Sequence, residues 1–155
     1  MNKIVFYKVN DEYGYFSNFA KYPIIVEGEK WPTVEHYFQA SKFDDDCIRK
    51  KIIMLDSPMK AALEGRNREN NLRSDWDQVK DKIMFKGLLC KFLQHHILKV
   101  KLLMTGDSEI IEHAERDFYW GDGFDGSGQN KLGKLLIEVR TVIREIHPDP
   151  EIVFP

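Results

Sequence analysis

The chain has 155 residues, with 23 Lys and Arg against 25 Asp and Glu and a formal net charge of -2. This length corresponds to one domain. A content of 43% hydrophobic and 31% charged residues is typical of a globular protein and excludes a disordered one. The nearly neutral balance excludes a strongly basic protein that coats nucleic acid. Two cysteines, Cys47 and Cys90, cannot by themselves build a disulfide framework or a Cys-rich zinc site.

The sequence predicts neither a membrane span nor a secretory signal. No apolar run approaches the roughly 18 residues of a membrane span, and the first residues do not read as a secretory signal. We therefore expect a cytoplasmic protein that does not bind membranes.

Two short strands are predicted near the start of the chain. Residues 3–9 and 22–27 are rich in β-branched and aromatic side chains, and Gly28-Glu29 predicts a turn after the second strand. Because these strands are few and short, they predict a small sheet and not a barrel or a doubly wound core.

Most of the chain after Pro32 is predicted to be helical. Helix starts are indicated by caps at residues 44–46, Ser57 and residues 74–75, and Gly65 is a candidate for the position after a helix end. Residues 96–104 predict another helix and residues 108–114 a short strand. The clearest helix has Asn130 as its predicted N-cap and ends before Pro148. The prediction is one α+β domain over residues 1–155, compact and mostly helical, with a small β-sheet.

The most informative segment runs from residue 31 to residue 43. On a helix, Glu35, Gln39 and Lys42 stand at i, i+4 and i+7 and therefore share one face. From periodicity alone, a solvated polar face is the commoner explanation. The sharper hypothesis is a general acid/base beside an amine that acts as nucleophile or charge clamp. His36 lies about 100° further round the helix and is expected to be a satisfied structural histidine.

A glycine-rich loop over residues 119–130 is the second candidate. Its four glycines let the backbone approach a ligand, and the loop leads into the start of the last helix, where free N–H groups attract anions. The alternative is a flexible connector with an ordinary cap at Asn130. The spacing fits neither a P-loop nor a dinucleotide fingerprint.

Two further segments carry weaker signals. In residues 64–77, Arg66, Arg68 and Arg73 could bind phosphate and Trp76 could stack on a base, although an exposed loop with an inward-packed Trp is the simpler explanation. In residues 14–19, Asn18 lies between aromatic residues and could line a pocket, although such a segment is more often a turn.

A metal site is not expected. His95 and His96 are sequential and diverge on a helix, and no His/Cys pair has i, i+4 spacing. We expect no cofactor either.

Taken in order along the chain, these segments resemble the NADAR/YbiA-like family. The resemblance covers about residues 6–140 and depends on motifs in five places. These motifs are Gly14-Tyr-Phe-Ser-Asn-Phe19, Trp31-Pro-Thr-Val-Glu-His-Tyr-Phe-Gln-Ala40 with Lys42-Phe43, Asp75-Trp76, Trp120-Gly-Asp-Gly123 and Asn130-Lys-Leu-Gly133.

The resemblance implies a helical α+β fold and N-glycosidase activity on the bond between a ribose and an amino-bearing base. It implies two substrate classes, which are ribosylamino-pyrimidine phosphates of riboflavin synthesis and ADP-ribose attached to guanine in nucleic acid. We expect one of these as the ligand, and no stable protein partner. The rival hypotheses are a non-catalytic module that binds ADP-ribose or another nucleotide, and a small interaction protein.

The residues match this activity physically, and Glu35 would be the acid/base. Because Lys42 is predicted to share a helix face with Glu35, we hypothesise that it is either a Schiff-base nucleophile or an electrostatic clamp. Trp76 and Trp120 would stack on base or sugar, while Asp122 and Asn130 would accept from ribose hydroxyls. The predicted substrate-binding residues are Asn18, Gln39, Arg66, Trp76, Trp120, Gly121, Asp122 and Asn130.

Overall fold

The computed structural model describes residues 2–148, which form six α-helices and four short strands. The prediction of a mostly helical α+β protein is therefore confirmed. The elements in chain order are β1 Lys3–Phe6, a 3₁₀ turn Gly14–Phe16, β2 Ile24–Val26, β3 Glu29–Trp31, α1 Val34–Ala40, α2 Asp46–Ile53, α3 Pro58–Arg66, α4 Trp76–Gln94, α5 His96–Met104, β4 Glu109–Glu112 and α6 Lys131–Ile146.

The chain divides into two compact units. The central unit comprises residues 18–91. The terminal unit comprises the described residues 2–17 and 92–148. The prediction of a single domain over residues 1–155 stays a prediction.

The central unit begins with a hairpin of β2 and β3, paired antiparallel from Ile24–Trp31 to Val26–Glu29. Both turn residues, Glu27 and Gly28, have positive φ angles of 51° and 83°, which is the backbone that a two-residue hairpin turn requires. The hairpin leads directly into α1, whose N-cap is Thr33.

Helix α1 is the centre of this unit. All seven of its residues are buried, and it packs on α2 and α3. The hydroxyl of Thr33 accepts from the N–H of His36 at the start of the helix. A seven-residue helix cannot be stable alone, so α1 is held by the elements that surround it.

Helix α3 begins as predicted, because the hydroxyl of Ser57 accepts from the N–H of Lys60 and Pro58 follows the cap. Its predicted end is wrong. The helix continues through Arg66, with Asn67 as C-cap, so Gly65 lies inside the helix and not after it. A glycine at this position is therefore explained by a tertiary contact and not by the end of the helix.

In the terminal unit, β1 pairs in parallel with β4, from Lys3–Glu109 to Phe6–Glu112. Helix α6 buries the apolar stripe that the sequence predicted, and it packs on β4. A Cβ atom at Gly133 would lie 2.0 Å from the carbonyl oxygen of Ile110. Gly133 therefore allows the close approach of α6 to the strand.

Candidate functional site

The face of α1 that carries Glu35 and Gln39 is buried in the protein. Glu35 is 7% exposed and Gln39 is 6% exposed. The commoner interpretation of this pattern, a solvated polar face, is therefore wrong. Helical periodicity placed the two side chains on one face, but it could not tell which neighbours cover that face.

The Gln39 amide and the Glu35 carboxylate are hydrogen-bonded to each other. Gln39 Nε2 donates to Glu35 Oε1 at 2.6 Å. Within residues 2–148, the other amide atom, Gln39 Oε1, has no hydrogen-bond partner. It lies against Gly65, where a Cβ atom would come within 1.8 Å of it.

Lys42 follows α1, and its amine lies among aromatic rings. Nζ is 5.8 Å from the centroid of Phe38 and 6.0 Å from the centroid of Trp76. Burial lowers the pKa of Lys42 from its ordinary 10.5 to about 8, although the negative charge of Glu35 acts in the opposite direction. At pH 7 about one-tenth of Lys42 is therefore an uncharged amine, the form that attacks carbonyl carbon.

Arg66 and Arg68 add positive charge to this region. Both are exposed, and both lower the pKa of Lys42 further through charge repulsion. Arg68 Nη1 donates to the carbonyl of Gly65, and neither guanidinium forms a salt bridge within the part of the chain that the structure describes. Arg73 differs, because its Nε forms a salt bridge with Asp75 Oδ1 at 2.7 Å. This salt bridge favours a structural role for Arg73.

Trp76 and Asn18 are the remaining predicted site residues of the central unit. Trp76 is buried, with its ring centroid 5.1 Å from that of Phe38. Its observed polar neighbour is the Lys42 amine, and stacking on a base stays a prediction. The carbonyl of Asn18 accepts from the N–H of Glu35 at 3.2 Å. The Asn18 amide Nδ2 contacts Met84 Sδ at 3.3 Å, and Oδ1 has no partner among the residues described.

His36 has the structural role that the sequence predicted. Its ring lies 2.8 Å from the hydroxyl of Thr33 through Nδ1 and 3.0 Å from the carbonyl of Leu55 through Nε2. Since a carbonyl only accepts, Nε2 carries the proton and donates. Burial lowers the pKa of His36 and favours this neutral form.

In the terminal unit, the first N–H groups of α6 are not free as predicted, because they donate to the glycine-rich loop. The N–H groups of Lys131 and Leu132 donate at 3.0 Å to the carbonyls of Tyr119 and Trp120. These groups at the helix start are therefore not open to a phosphate. Asn130 stands at the N-cap with a left-handed φ of 48°, but its side chain does not cap the helix.

The side chain of Asn130 is instead bonded to β4. Its Oδ1 accepts from the N–H of Glu112 at 3.0 Å, and its Nδ2 donates to the carbonyl of Ile110 at 2.9 Å. This geometry favours a structural role for Asn130. The predicted contact of its side chain with ribose hydroxyls stays a prediction.

Gly121 and Trp120 are part of the same close packing. A Cβ atom at Gly121 would lie 2.6 Å from that of Ala114, so the glycine allows the loop to pack closely on the segment before it. Trp120 is half-buried and contacts Tyr119 edge to face, with centroids 4.9 Å apart. The backbone N–H of Trp120 donates to the carboxylate of Asp117 at 2.9 Å.

Asp122 has a partner that the sequence analysis missed. The Asp122 carboxylate accepts from His113 Nδ1 at 2.8 Å and from the N–H of Phe124 at 2.8 Å. The His113 ring stacks on that of Phe124, with centroids 4.4 Å apart. Asp122 therefore organises its own loop. No regular sequence spacing predicts a contact between residues 113 and 122, because the folded chain between them brings the two side chains together.

Comparisons with known proteins identify the family. Residues 5–144 match the model of the NADAR domain. The N-glycosidase YbiA of Shigella sonnei is 53% identical over 137 residues, which cover 88% of this chain and 86% of that protein. A riboflavin biosynthesis protein of Vibrio vulnificus is 39% identical over 145 residues, which cover 94% of this chain and 40% of that protein.

A solved structure agrees with these matches. The NMR structure of Escherichia coli YbiA has a TM-score of 0.86 and 47% identity to this chain, and it covers 97% of this chain and 91% of its own. The chain therefore belongs to the NADAR family, as its motifs predicted. It is an enzyme, a hydrolase that acts on N-glycosyl compounds.

Among residues 2–148, no helix is long and apolar enough to cross a membrane.

Proposed function

We propose that this protein hydrolyses the C–N bond between C1 of a phosphorylated ribose and an amino group of a base. The observation that carries the proposal is a buried carboxylate, Glu35, whose charge acts on an amine of lowered pKa, Lys42, in the central unit. An acid/base and a nucleophile are the two groups that covalent cleavage of an N-ribosylamine needs.

The lowered pKa of Lys42 favours a covalent route. The ribosylamine opens to an imine as its amino proton passes to the ring oxygen. Lys42 Nζ adds to C1, Glu35 transfers the two protons of Nζ to the base nitrogen, and the base leaves as a free amine. Water then hydrolyses the C1–Lys42 imine while Glu35 transfers the protons of water to Nζ, which releases the sugar aldehyde and regenerates the Lys42 amine. In the alternative route, water adds directly to C1 and protonated Lys42 stabilises charge.

The charge around Lys42 supports an anionic substrate. Arg66 and Arg68 are exposed guanidinium groups with no salt-bridge partner in residues 2–148, and Arg groups bind phosphate with fork geometry. Both substrate classes implied by the family carry phosphate. The name of the Vibrio vulnificus relative supports the riboflavin intermediates, and removal of ADP-ribose from guanine is the second candidate.

The test is turnover followed by chromatography. Wild type, Glu35→Gln and Lys42→Met are incubated with guanine-ADP-ribosylated DNA and, separately, with the ribosylamino-pyrimidine phosphate. Two exposed side chains provide the matched controls, Glu138→Gln and Lys82→Met. We expect release of the sugar phosphate from one substrate by wild type and both controls, and its loss in both site variants.

Borohydride trapping separates the two routes. Reduction during turnover should leave a sugar adduct on Lys42 of wild type, detected by mass spectrometry, and none on Lys42→Met. Turnover without an adduct would select direct attack by water. Full activity of Glu35→Gln, or no turnover of either substrate, would overturn the proposal.

A further inference from the structure

Gly65 occupies a position that helix physics disfavours. It lies inside α3, one residue before the last, where glycine costs about 1 kcal/mol relative to alanine. It has no positive φ that would require a glycine. The buried face of α3 otherwise carries Ala61 and Ala62, so a methyl group is tolerated one turn earlier.

The neighbour of Gly65 explains this choice. A Cβ atom at residue 65 would lie 1.8 Å from Gln39 Oε1, 2.7 Å from Cδ and 3.1 Å from Cβ of the same side chain. All three nearest atoms belong to Gln39, which is itself buried. Even the smallest side chain at residue 65 would therefore displace the Gln39 amide.

The same amide holds Glu35. With Oε1 against Gly65, Nε2 points to Glu35 Oε1 and donates at 2.6 Å. A reversed amide would direct its carbonyl oxygen at the carboxylate, which repels it, so Glu35 defines which amide atom faces it while Gly65 leaves room for the other. A carboxylate that accepts this bond is both oriented and favoured in its charged form.

We propose that Gly65 and Gln39 are positioning residues that orient Glu35, and that Gly65 acts only through the space it leaves for the Gln39 amide. This reassigns Gln39 from substrate contact to support of the acid/base. The inference rests on the proposed function for its kinetic readout, while its structural readout is independent of activity.

The first experiment is a double-mutant cycle on turnover of whichever substrate wild type hydrolyses. We expect Gly65→Ala to lower kcat about 10- to 100-fold with KM within about twofold, because the acid/base is misplaced while the substrate contacts remain. Gln39→Ala should have the same effect. In a Gln39→Ala background, Gly65→Ala should change kcat by less than about twofold. Leu63→Ala, at an exposed position of α3, is the control.

NMR titration completes the test. We expect Gly65→Ala and Gln39→Ala to raise the pH at which the side-chain carboxyl ¹³C signal of Glu35 titrates, since each removes a donor to the charged carboxylate. In wild type and Leu63→Ala, the side-chain N–H signals of Gln39 should move as Glu35 titrates. In Gly65→Ala they should lose that response.

The outcomes separate this inference from the proposed function. Additive effects in the cycle, or a Gln39 amide unchanged by Gly65→Ala, would overturn the inference and leave the hydrolysis standing. A wild type that hydrolyses neither substrate but shows the NMR pattern would overturn the proposed function and support the positioning. A Gly65→Ala protein that fails to fold leaves Gln39→Ala and Gln39→Glu to decide, and a Glu35 titration unchanged from wild type in both would overturn the inference.

Discussion

Asn130 Nδ2 donates a 2.9 Å hydrogen bond to the carbonyl of Ile110, and this bond joins the residue before α6 to the strand β4. The same side chain accepts from the N–H of Glu112, so it bridges two alternate backbone positions of the strand. The left-handed φ of Asn130 turns its side chain toward β4 and away from the helix that it precedes.

This bridge predicts a stability effect. Asn130→Ala should lower the free energy of unfolding by about 2–4 kcal/mol, because it leaves two backbone groups unpaired and places alanine in a left-handed conformation. Urea denaturation measures the loss. Asn130→Asp keeps the acceptor and should lose less. The structural role would be contradicted by a variant of normal stability whose KM for substrate rises many-fold.

The pKa of Lys42 predicts the pH dependence of turnover. Burial lowers this pKa to about 8, so the neutral, nucleophilic amine increases as pH rises through that value. Under the covalent route, the initial rate should rise between about pH 7 and pH 9 with a midpoint near 8. Lys42→Arg keeps the charge without a nucleophile and should be inactive. A rate that falls above pH 8 would instead indicate a protonated Lys42 that stabilises charge.

Lys91 predicts a pH dependence of stability. It is fully buried near the ring of Tyr22, with Nζ 5.6 Å from the centroid, and burial lowers its pKa from 10.5 to about 7. Between these two values the unfolded chain binds one more proton than the folded protein. Stability from this group therefore rises with pH, by up to about 1.4 kcal/mol per pH unit.

The measurement is urea denaturation of wild type and Lys91→Met from pH 6.5 to pH 9. The difference in unfolding free energy between the two should change across this range in favour of wild type, as its amine loses the cost of burying charge. Lys82→Met, at an exposed position of the same helix, is the control. A difference that stays constant with pH would show that Lys91 is not desolvated in the folded protein.

The contacts of the Asp122 carboxylate predict that this residue stabilises the glycine-rich loop. Asp122→Ala removes the acceptor for His113 Nδ1 and for the N–H of Phe124, and should lower stability by about 1–3 kcal/mol. The imidazole ¹⁵N signals of His113 should shift in the variant, while those of the exposed His96 stay unchanged. Unchanged His113 signals would contradict the contact.

Several elements could be predicted from the sequence because their signals are local. The caps at Asp45 and Ser57, the apolar stripe of α6 and the helix over 96–104 all depend on residues within a few positions of one another. The α6 stripe also identified its buried face correctly, since hydrophobic periodicity reports the side that faces a core.

The predictions that failed concern contacts between distant segments. Gly65 was expected to end a helix, yet its neighbour is Gln39 on another helix. The start of α6 was expected to be open to an anion, yet its N–H groups donate to carbonyls of the preceding loop. In both cases the sequence drew attention to the right position, but the contact made there depends on the tertiary structure.

The sequence by itself determined the family, the α+β class and the alignment of Glu35 with Gln39, since a helix places residues at i and i+4 on one face. The predicted helical placement of Lys42 is wrong, because α1 ends at Ala40. Only the tertiary structure decided that the face of Glu35 and Gln39 is buried, that Gly65 leaves room for the Gln39 amide, and that the rings of Phe38 and Trp76 lie near the Lys42 amine. The physical reason is that burial, and the pKa shift of Lys42 that it causes, depend on every segment packed around a group and not on the residues beside it in the chain.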